Sequence, residues 1–219
     1  MSGEARSRRE ALRLAALGAG AIAAAGFVRP ALAGAQAAGD EDLRDFLVGA
    51  ISLEQLAVLA YSTAARQGDT DIGPTLEAFR DQEQAHANAL RQALDTLGFD
   101  LPDAPDSATD TGAFEDVDGL DSEQSERLLD LLDELGGLSS PRQYLKYLGR
   151  LEDEQLTYYT SEGPVVDSVD LTTTSAEIAG CQAQHSVVLL TELGRTEADA
   201  AAAPAKTARD AVPAASSGQ

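Results

Sequence analysis

The sequence predicts an all-α protein, an antiparallel four-helix bundle with one long crossover that carries a short extra helix. Three observations point there. Four long segments repeat apolar residues at spacings of three and four, the mark of a helix with one buried face. The four fall into two hairpins separated by a connection of roughly 40 residues, which is how a bundle with a single crossover is strung. After residue 33 there is no run of alternating β-branched residues that would make a strand.

The first helix is expected over Asp40 to Gln67, where Leu43, Phe46, Leu47, Ala50, Ile51, Ala57, Val58, Tyr61 and Ala65 keep helical spacing until Gly68 and Asp69 break it. Pro74 suits a first turn, and the periodic run from Thr75 to Leu97, closed by Gly98, makes the second helix. Residues 99 to 119 are rich in Pro, Asp, Ser and Gly without periodicity, so a solvated acidic connection is expected. Asp121-Ser122-Glu123 opens a short helix through Leu135, whose stripe of Leu128, Leu131, Leu132 and Leu135 suits a cover laid over the bundle. Ser140-Pro141 starts the third long helix, which runs to about Ser161 before Gly163-Pro164. Thr172 to Gly194 forms the fourth. The bundle domain is thus 40–194, and the Ala/Pro/Ser-rich 195–219 is expected to be a disordered tail.

Composition limits the function. Among 219 residues, 37 are acidic and 16 basic, a formal net charge of −21, which repels nucleic acid and anionic membrane surfaces. Lys146 and Lys206 are the only lysines. Such an acidic, arginine-retaining composition resembles proteins of salt-loving archaea; an ordinary acidic protein of a GC-rich bacterium also fits. The single cysteine, Cys181, excludes an intramolecular disulfide. Residues 7–13, SRREALR, resemble the twin-arginine export motif, with Arg8 and Arg9 as the pair and Ala11 in place of the usual phenylalanine. The Gly/Ala-rich stretch Leu14 to Val28 that follows is about 15 residues long, short of the ~20 of a spanning helix. Small-residue cleavage sites end at Ala33 and Ala37. Residues 1–33 therefore read as a signal peptide, with no transmembrane span in the mature protein. The expected destination is extracellular, periplasmic or the cell surface, and the expected partner is the export machinery. A homodimer is left open.

The second helix poses a chemical question. Its seam runs Leu76, Phe79, 83, 86, Leu90, Ala93, Leu97, yet position 83 is glutamate and 86 is histidine. Burying such groups without partners costs several kcal/mol, comparable to a domain's whole stability. The two hairpins resemble one another, and the likeness suggests an answer. LEQLAVLAY around Glu54 matches DEQLTYY around Glu154, and EQAHANAL from Glu83 matches QAQHSVVL from Gln182, aligning His86 with His185. Each of the six falls on an apolar stripe: Glu54 among 43, 47, 50, 58 and 61; Glu154 among 147, 151 and 158; Gln182 and His185 among 178 and 189. The i, i+3 spacing of Glu83 and His86 puts both on one face, where they can grip one ion. Divalent cations would let the inward carboxylates stay ionised.

With those residues the chain resembles the ferritin-like superfamily of di-iron and di-manganese carboxylate proteins, which place a glutamate on each of two helices and Glu-x-x-His on each of the other two. The resemblance implies metal ligands at Glu54, Glu83, His86, Glu154 and His185, with Gln182 where the pattern has a carboxylate. It implies Fe or Mn as cofactor, two ions at most, the ion near Glu54, Glu83 and His86 held firmly and the one near Glu154 and His185 weakly, because an amide binds hard cations less well. The activity implied is oxidative chemistry on dioxygen or peroxide, outside the cell. The alternative is a metal-free, degenerate bundle with a structural or desiccation-protective role. Cys181 reads as a small buried filler, and Tyr61, Tyr158 and Tyr159 as core packing near the glutamates.

Overall fold

The computed structural model describes residues 40–67, 72–162 and 169–202. The leader, the Gly68-Asp69 turn, the Gly163-Pro164 break and the chain beyond Ala202 lie outside the described residues. Among those described, all regular structure is helical: α1 Asp40–Gln67, α2 Gly73–Leu97, α3 Ser122–Gly137, α4 Pro141–Thr157 with a π-helical continuation Tyr158–Glu162, and α5 Val169–Ala202.

Local chemistry sets most of these ends. Pro74 sits in the first turn of α2, and Gly98, at φ 81°, closes it in the left-handed conformation that glycine adopts without strain. Asp121 and Gln124 form a reciprocal capping box at the start of α3. Ser140 caps α4 by accepting from the Gln143 amide, and Pro141 follows in its first turn.

The helices pair as two hairpins, α1 with α2 and α4 with α5, joined face to face along α1 and α4. α1 is the most enclosed, with Leu47, Ala50, Ile51, Leu56, Ala57, Ala60 and Tyr61 fully buried. It is long and apolar enough to cross a membrane, but 78% of its most apolar window is buried inside the bundle, which is how a core helix reads. Gly49 is small because α4 approaches there: a Cβ would overlap the Tyr158 hydroxyl, which donates to the Phe46 carbonyl at 3.1 Å.

α3 lies across α1 and α4 as a cover, burying Leu128, Leu131, Leu132 and Leu135. It is tied to α4 by Tyr147 Oη donating to the Leu131 carbonyl at 2.9 Å and by the pairs Arg127–Glu154 and Arg150–Glu134. Two expectations need correction. The crossover is not wholly solvated: Ala113 and Phe114 enter the core, and the Asp103 carbonyl accepts from the Gln55 side-chain amide at 2.9 Å. One aromatic in an acidic run anchors the strap by area alone, with no periodicity to announce it. The last helix also starts earlier and continues past Gly194 to Ala202, because the alanine-rich stretch after Thr196 is a good helix former despite the absence of core residues.

Candidate metal centre

The inward polar residues converge at one level of the bundle, and each of the four long helices contributes. α1 gives Glu54, α2 gives Gln82, Glu83 and His86, α4 gives Glu152 and Gln155, and α5 gives Gln182 and His185; all eight are buried, Glu54, Glu83, Gln155 and Gln182 completely. Five of the six residues singled out from the sequence are therefore brought together. Glu154 is not. Its carboxylate turns away from the core and pairs with Arg127 of α3 at 2.6 and 2.7 Å.

Glu152 stands where Glu154 was expected. The dipeptide Leu151-Glu152 is the counterpart of Leu53-Glu54, two residues upstream of the more conspicuous Glu-Gln-Leu match. A tyrosine seven residues on in both halves, Tyr61 and Tyr159, marks the same register. α4 conceals this because it is buried on two sides, by the bundle and by α3, so Tyr147, Leu148, Leu151, Glu152 and Gln155 are all inside and no single stripe is privileged.

The tyrosines cross between the hairpins. Tyr159 Oη donates to Glu54 Oε1 at 2.7 Å, and Tyr61 Oη donates to Glu152 Oε1. In each case the tyrosine holds one carboxylate oxygen and leaves the other, Glu54 Oε2 or Glu152 Oε2, with no hydrogen-bond partner. The histidines are oriented from outside. His185 Nε2 lies 2.6 Å from Gln82 Oε1, an acceptor, so that nitrogen carries the proton and Nδ1 faces inward, 2.9 Å from Glu83 Oε1 and 3.2 Å from Glu152 Oε1. The short Nδ1–Glu83 Oε1 approach is not aligned as a hydrogen bond, and that oxygen too is unpartnered. Phe79 stacks on the His185 ring at 3.9 Å and keeps it in this attitude. His86 Nδ1 faces Glu54 Oε2 at 3.5 Å and Glu83 Oε2 at 3.7 Å, also without a hydrogen bond.

A nitrogen lone pair aimed at carboxylates is repulsive unless a proton or a metal cation lies between, and the titration of the cluster reflects that. Burial and the neighbouring Glu83 hold Glu54 well above the usual carboxylate range. Burial and Glu83 also push Glu152 up to about 7, against the opposing pull of His185 and Tyr61. Glu83 goes the other way: burial opposes its ionisation, but the close approach of the His185 and His86 imidazoles outweighs burial and holds it well below the usual range. Both histidines are raised well above theirs, burial being overcome by Cys181, Glu54 and Glu83 at His86 and by Glu152, Cys181 and Glu83 at His185.

The sign of the pH dependence follows for the metal-free chain. A carboxyl with a raised folded pKa keeps its proton after the unfolded chain has lost it, so stability present below about pH 4.5 is lost as pH rises through the folded value. For Glu152 the window is about pH 4.5 to 7, and the shift corresponds to about 3 kcal/mol. Glu54 and both histidines act in the same direction. Glu83 opposes them only in acid below the usual carboxylate range. Urea unfolding in the presence of a chelator should therefore show lower stability at pH 8 than at pH 5.5, with added divalent cation removing most of the difference.

The donor set fits a metal ion. Glu54 Oε2, Glu83 Oε1, His86 Nδ1, Glu152 Oε2, Gln155 Oε1 and Gln182 Oε1 are buried lone-pair atoms without a hydrogen-bond partner, a concentration that native cores avoid unless something else satisfies them. Two groups bring their ligand atoms within 4.8 Å of one another: Glu54, Glu83 and His86, and Glu83, Glu152 and His185. Glu83 belongs to both. Cys181 lies at the rim, 3.5 Å from His185 Nε2, with its thiol brought down to about 7 by the histidines against burial.

A family model described as a ferritin-like domain matches residues 42–195. No curated protein and no solved structure matches the chain.

Proposed function

Because the chain belongs to the ferritin-like domain family, we propose that it is an exported protein that holds non-haem iron or manganese in its bundle core and acts on dioxygen or peroxide. The observation that carries the metal reading is the ring of unpartnered carboxylate, imidazole and amide atoms from all four long helices at one level. Iron or manganese bound there would supply a one-electron redox couple and open positions for a small oxidant. The chain's own residues supply the rest. Glu83 would hold the metal together with Glu152 and His185 on one side or with Glu54 and His86 on the other. Tyr61 and Tyr159 fix one oxygen of each flanking carboxylate, Gln82 fixes the ring of His185, and Phe79 and Tyr61 shield it from water.

Export rests on the Arg8-Arg9 motif and the weakly apolar stretch after it. A route that carries folded proteins suits a domain loaded with metal before it crosses. Replacing both arginines by lysine, which removes the paired guanidinium groups, should leave the precursor in the cytoplasm when the cell fractions are blotted.

One observation favours a second reading, a metal-free structural bundle: Gln182 Nε2 donates to Glu54 Oε1 at 3.2 Å and to Glu83 Oε2 at 3.0 Å, partly satisfying the cluster without any ion. The two readings separate on addition of metal. The metal centre requires Fe²⁺ or Mn²⁺ to raise the melting temperature of chelator-treated protein and requires the loaded protein to consume dioxygen or peroxide. A melting temperature indifferent to either ion would leave the structural bundle.

A further inference from the structure

The two halves of the cluster are not equivalent. Glu83 reaches into both, its Oε2 toward His86 and Glu54 and its Oε1 toward His185 and Glu152. Oε2 is already taken, accepting from Gln182 Nε2 at 3.0 Å and from Gln155 Nε2 at 3.2 Å. The other Gln182 hydrogen goes to Glu54 Oε1, which also accepts from Tyr159. The amide cannot be turned round, because its oxygen would then face two carboxylates. Of the carboxylate and imidazole atoms on this side, Glu54 Oε2 and His86 Nδ1 are left without a hydrogen-bond partner.

The opposite side is open. Glu83 Oε1 and Glu152 Oε2 accept no hydrogen bond, and His185 has its Nε2 proton committed to Gln82 and its Nδ1 turned inward. No amide donates to Glu83 Oε1 or Glu152 Oε2. The pseudo-symmetry of the hairpins sharpens the contrast, since the positions that correspond to Gln182 and Gln155 are Glu83 and Ala57. One hairpin carries two amides where the other carries a carboxylate and a methyl group, and both amides serve the same oxygen.

We infer that the centre seats a single divalent cation between Glu83, Glu152 and His185, and that the Gln182 amide, reinforced by Gln155, occupies the place beside Glu54 and His86 that a second cation would need. The inference rests on the metal reading above and specifies its stoichiometry and its side. A cation entering the Glu54 half would strip two fully buried amides of their acceptors, and an unsatisfied buried donor is costly, whereas the Glu152 half gives up only the His185 Nδ1–Glu152 Oε1 contact at 3.2 Å, an oxygen that Tyr61 still holds. This reverses the order of affinity that the sequence pattern suggests, in which the intact Glu-x-x-His half is the firm one.

The test is a count of ions by side. Chelator-treated full chain is titrated with Mn²⁺, and free ion is read by electron paramagnetic resonance, for wild type and for Glu54→Gln, His86→Ala, Glu152→Gln and His185→Ala, each checked for native helicity by circular dichroism. Wild type should bind one Mn²⁺. Affinity should fall by about 100-fold in Glu152→Gln and His185→Ala and change by less than about 5-fold in Glu54→Gln and His86→Ala, the glutamine variants guarding against misfolding of the alanine ones. Two ions of similar affinity in wild type, or loss that follows Glu54 and His86 instead, overturns the assignment while leaving the metal reading standing. No Mn²⁺ bound by wild type refutes the metal reading and the assignment with it.

Discussion

Chains carrying Glu83→Gln should bind no Mn²⁺ at concentrations that saturate the wild type, an affinity loss of at least about 100-fold. Glu83 is the one carboxylate common to both ligand groups and the only one held well below the usual carboxylate range, so it is the negative charge the cluster keeps at neutral pH. The isosteric amide removes that charge without changing volume. In the metal-free chain the same change takes the counter-charge from His185, 2.9 Å away, and from His86, 3.7 Å away. Breaking a buried pair in this way costs about 3–5 kcal/mol. The sign can be checked by pH. A depressed carboxyl contributes stability above its unfolded pKa and loses it as pH falls through its folded one, so the variant should lie furthest below wild type near neutrality and converge with it in strong acid. Urea unfolding at pH 7 and pH 3 would measure both ends. Equal stability at pH 7, with Mn²⁺ still bound, would remove Glu83 from the centre of the site.

Much of this arrangement is legible in the sequence, and the parts that are not have physical reasons. The long helices are readable because apolar spacing, Pro74, Gly98 and the Ser140-Pro141 start all point the same way. Glu54, Glu83, His86, Gln182 and His185 stand out because each interrupts an otherwise apolar seam. Glu152 does not stand out, because α4 has neighbours on two sides and a glutamate on either flank looks equally inward from spacing alone. Glu154 instead faces Arg127, on the short helix that the crossover carries, and that pairing is visible only once α3 is laid over α4. Gln155 is missed for the same reason, and the hydrogen bonding of its amide to Glu83 becomes evident only with the helices in place. The crossed tyrosines illustrate a third limit. Their positions seven residues after Glu54 and Glu152 are in the sequence, but their partners belong to the opposite hairpin. Spacing along one helix reports which residues share a face, while the oxygen each one holds is a property of the packed bundle.

Gln182→Glu should change sign with metal, which makes it the most informative single substitution in the cluster. In the metal-free chain it replaces a donor to Glu54 Oε1 and Glu83 Oε2 with a carboxylate facing two others. Glu54 and Glu152 already resist ionisation there, so a fourth buried acid must either take up a proton or repel its neighbours. Stability in chelator at pH 8 should therefore fall by about 2–4 kcal/mol, and by less at pH 5, where the new carboxyl can stay protonated and donate as the amide did. With metal the balance reverses. The amide no longer fills the Glu54 side, the new carboxylate supplies an anionic oxygen between His86 and Glu83, and a second ion gains a seat. Bound Mn²⁺ should rise from one to two per chain, and the metal-induced rise in melting temperature should exceed that of wild type. The measurement is a melting curve with and without saturating Mn²⁺ for both proteins, with bound ion counted on the same samples. A variant destabilised in chelator that gains no second ion would show that the cluster is arranged around its amides and that Gln182 is not what limits it to a single cation.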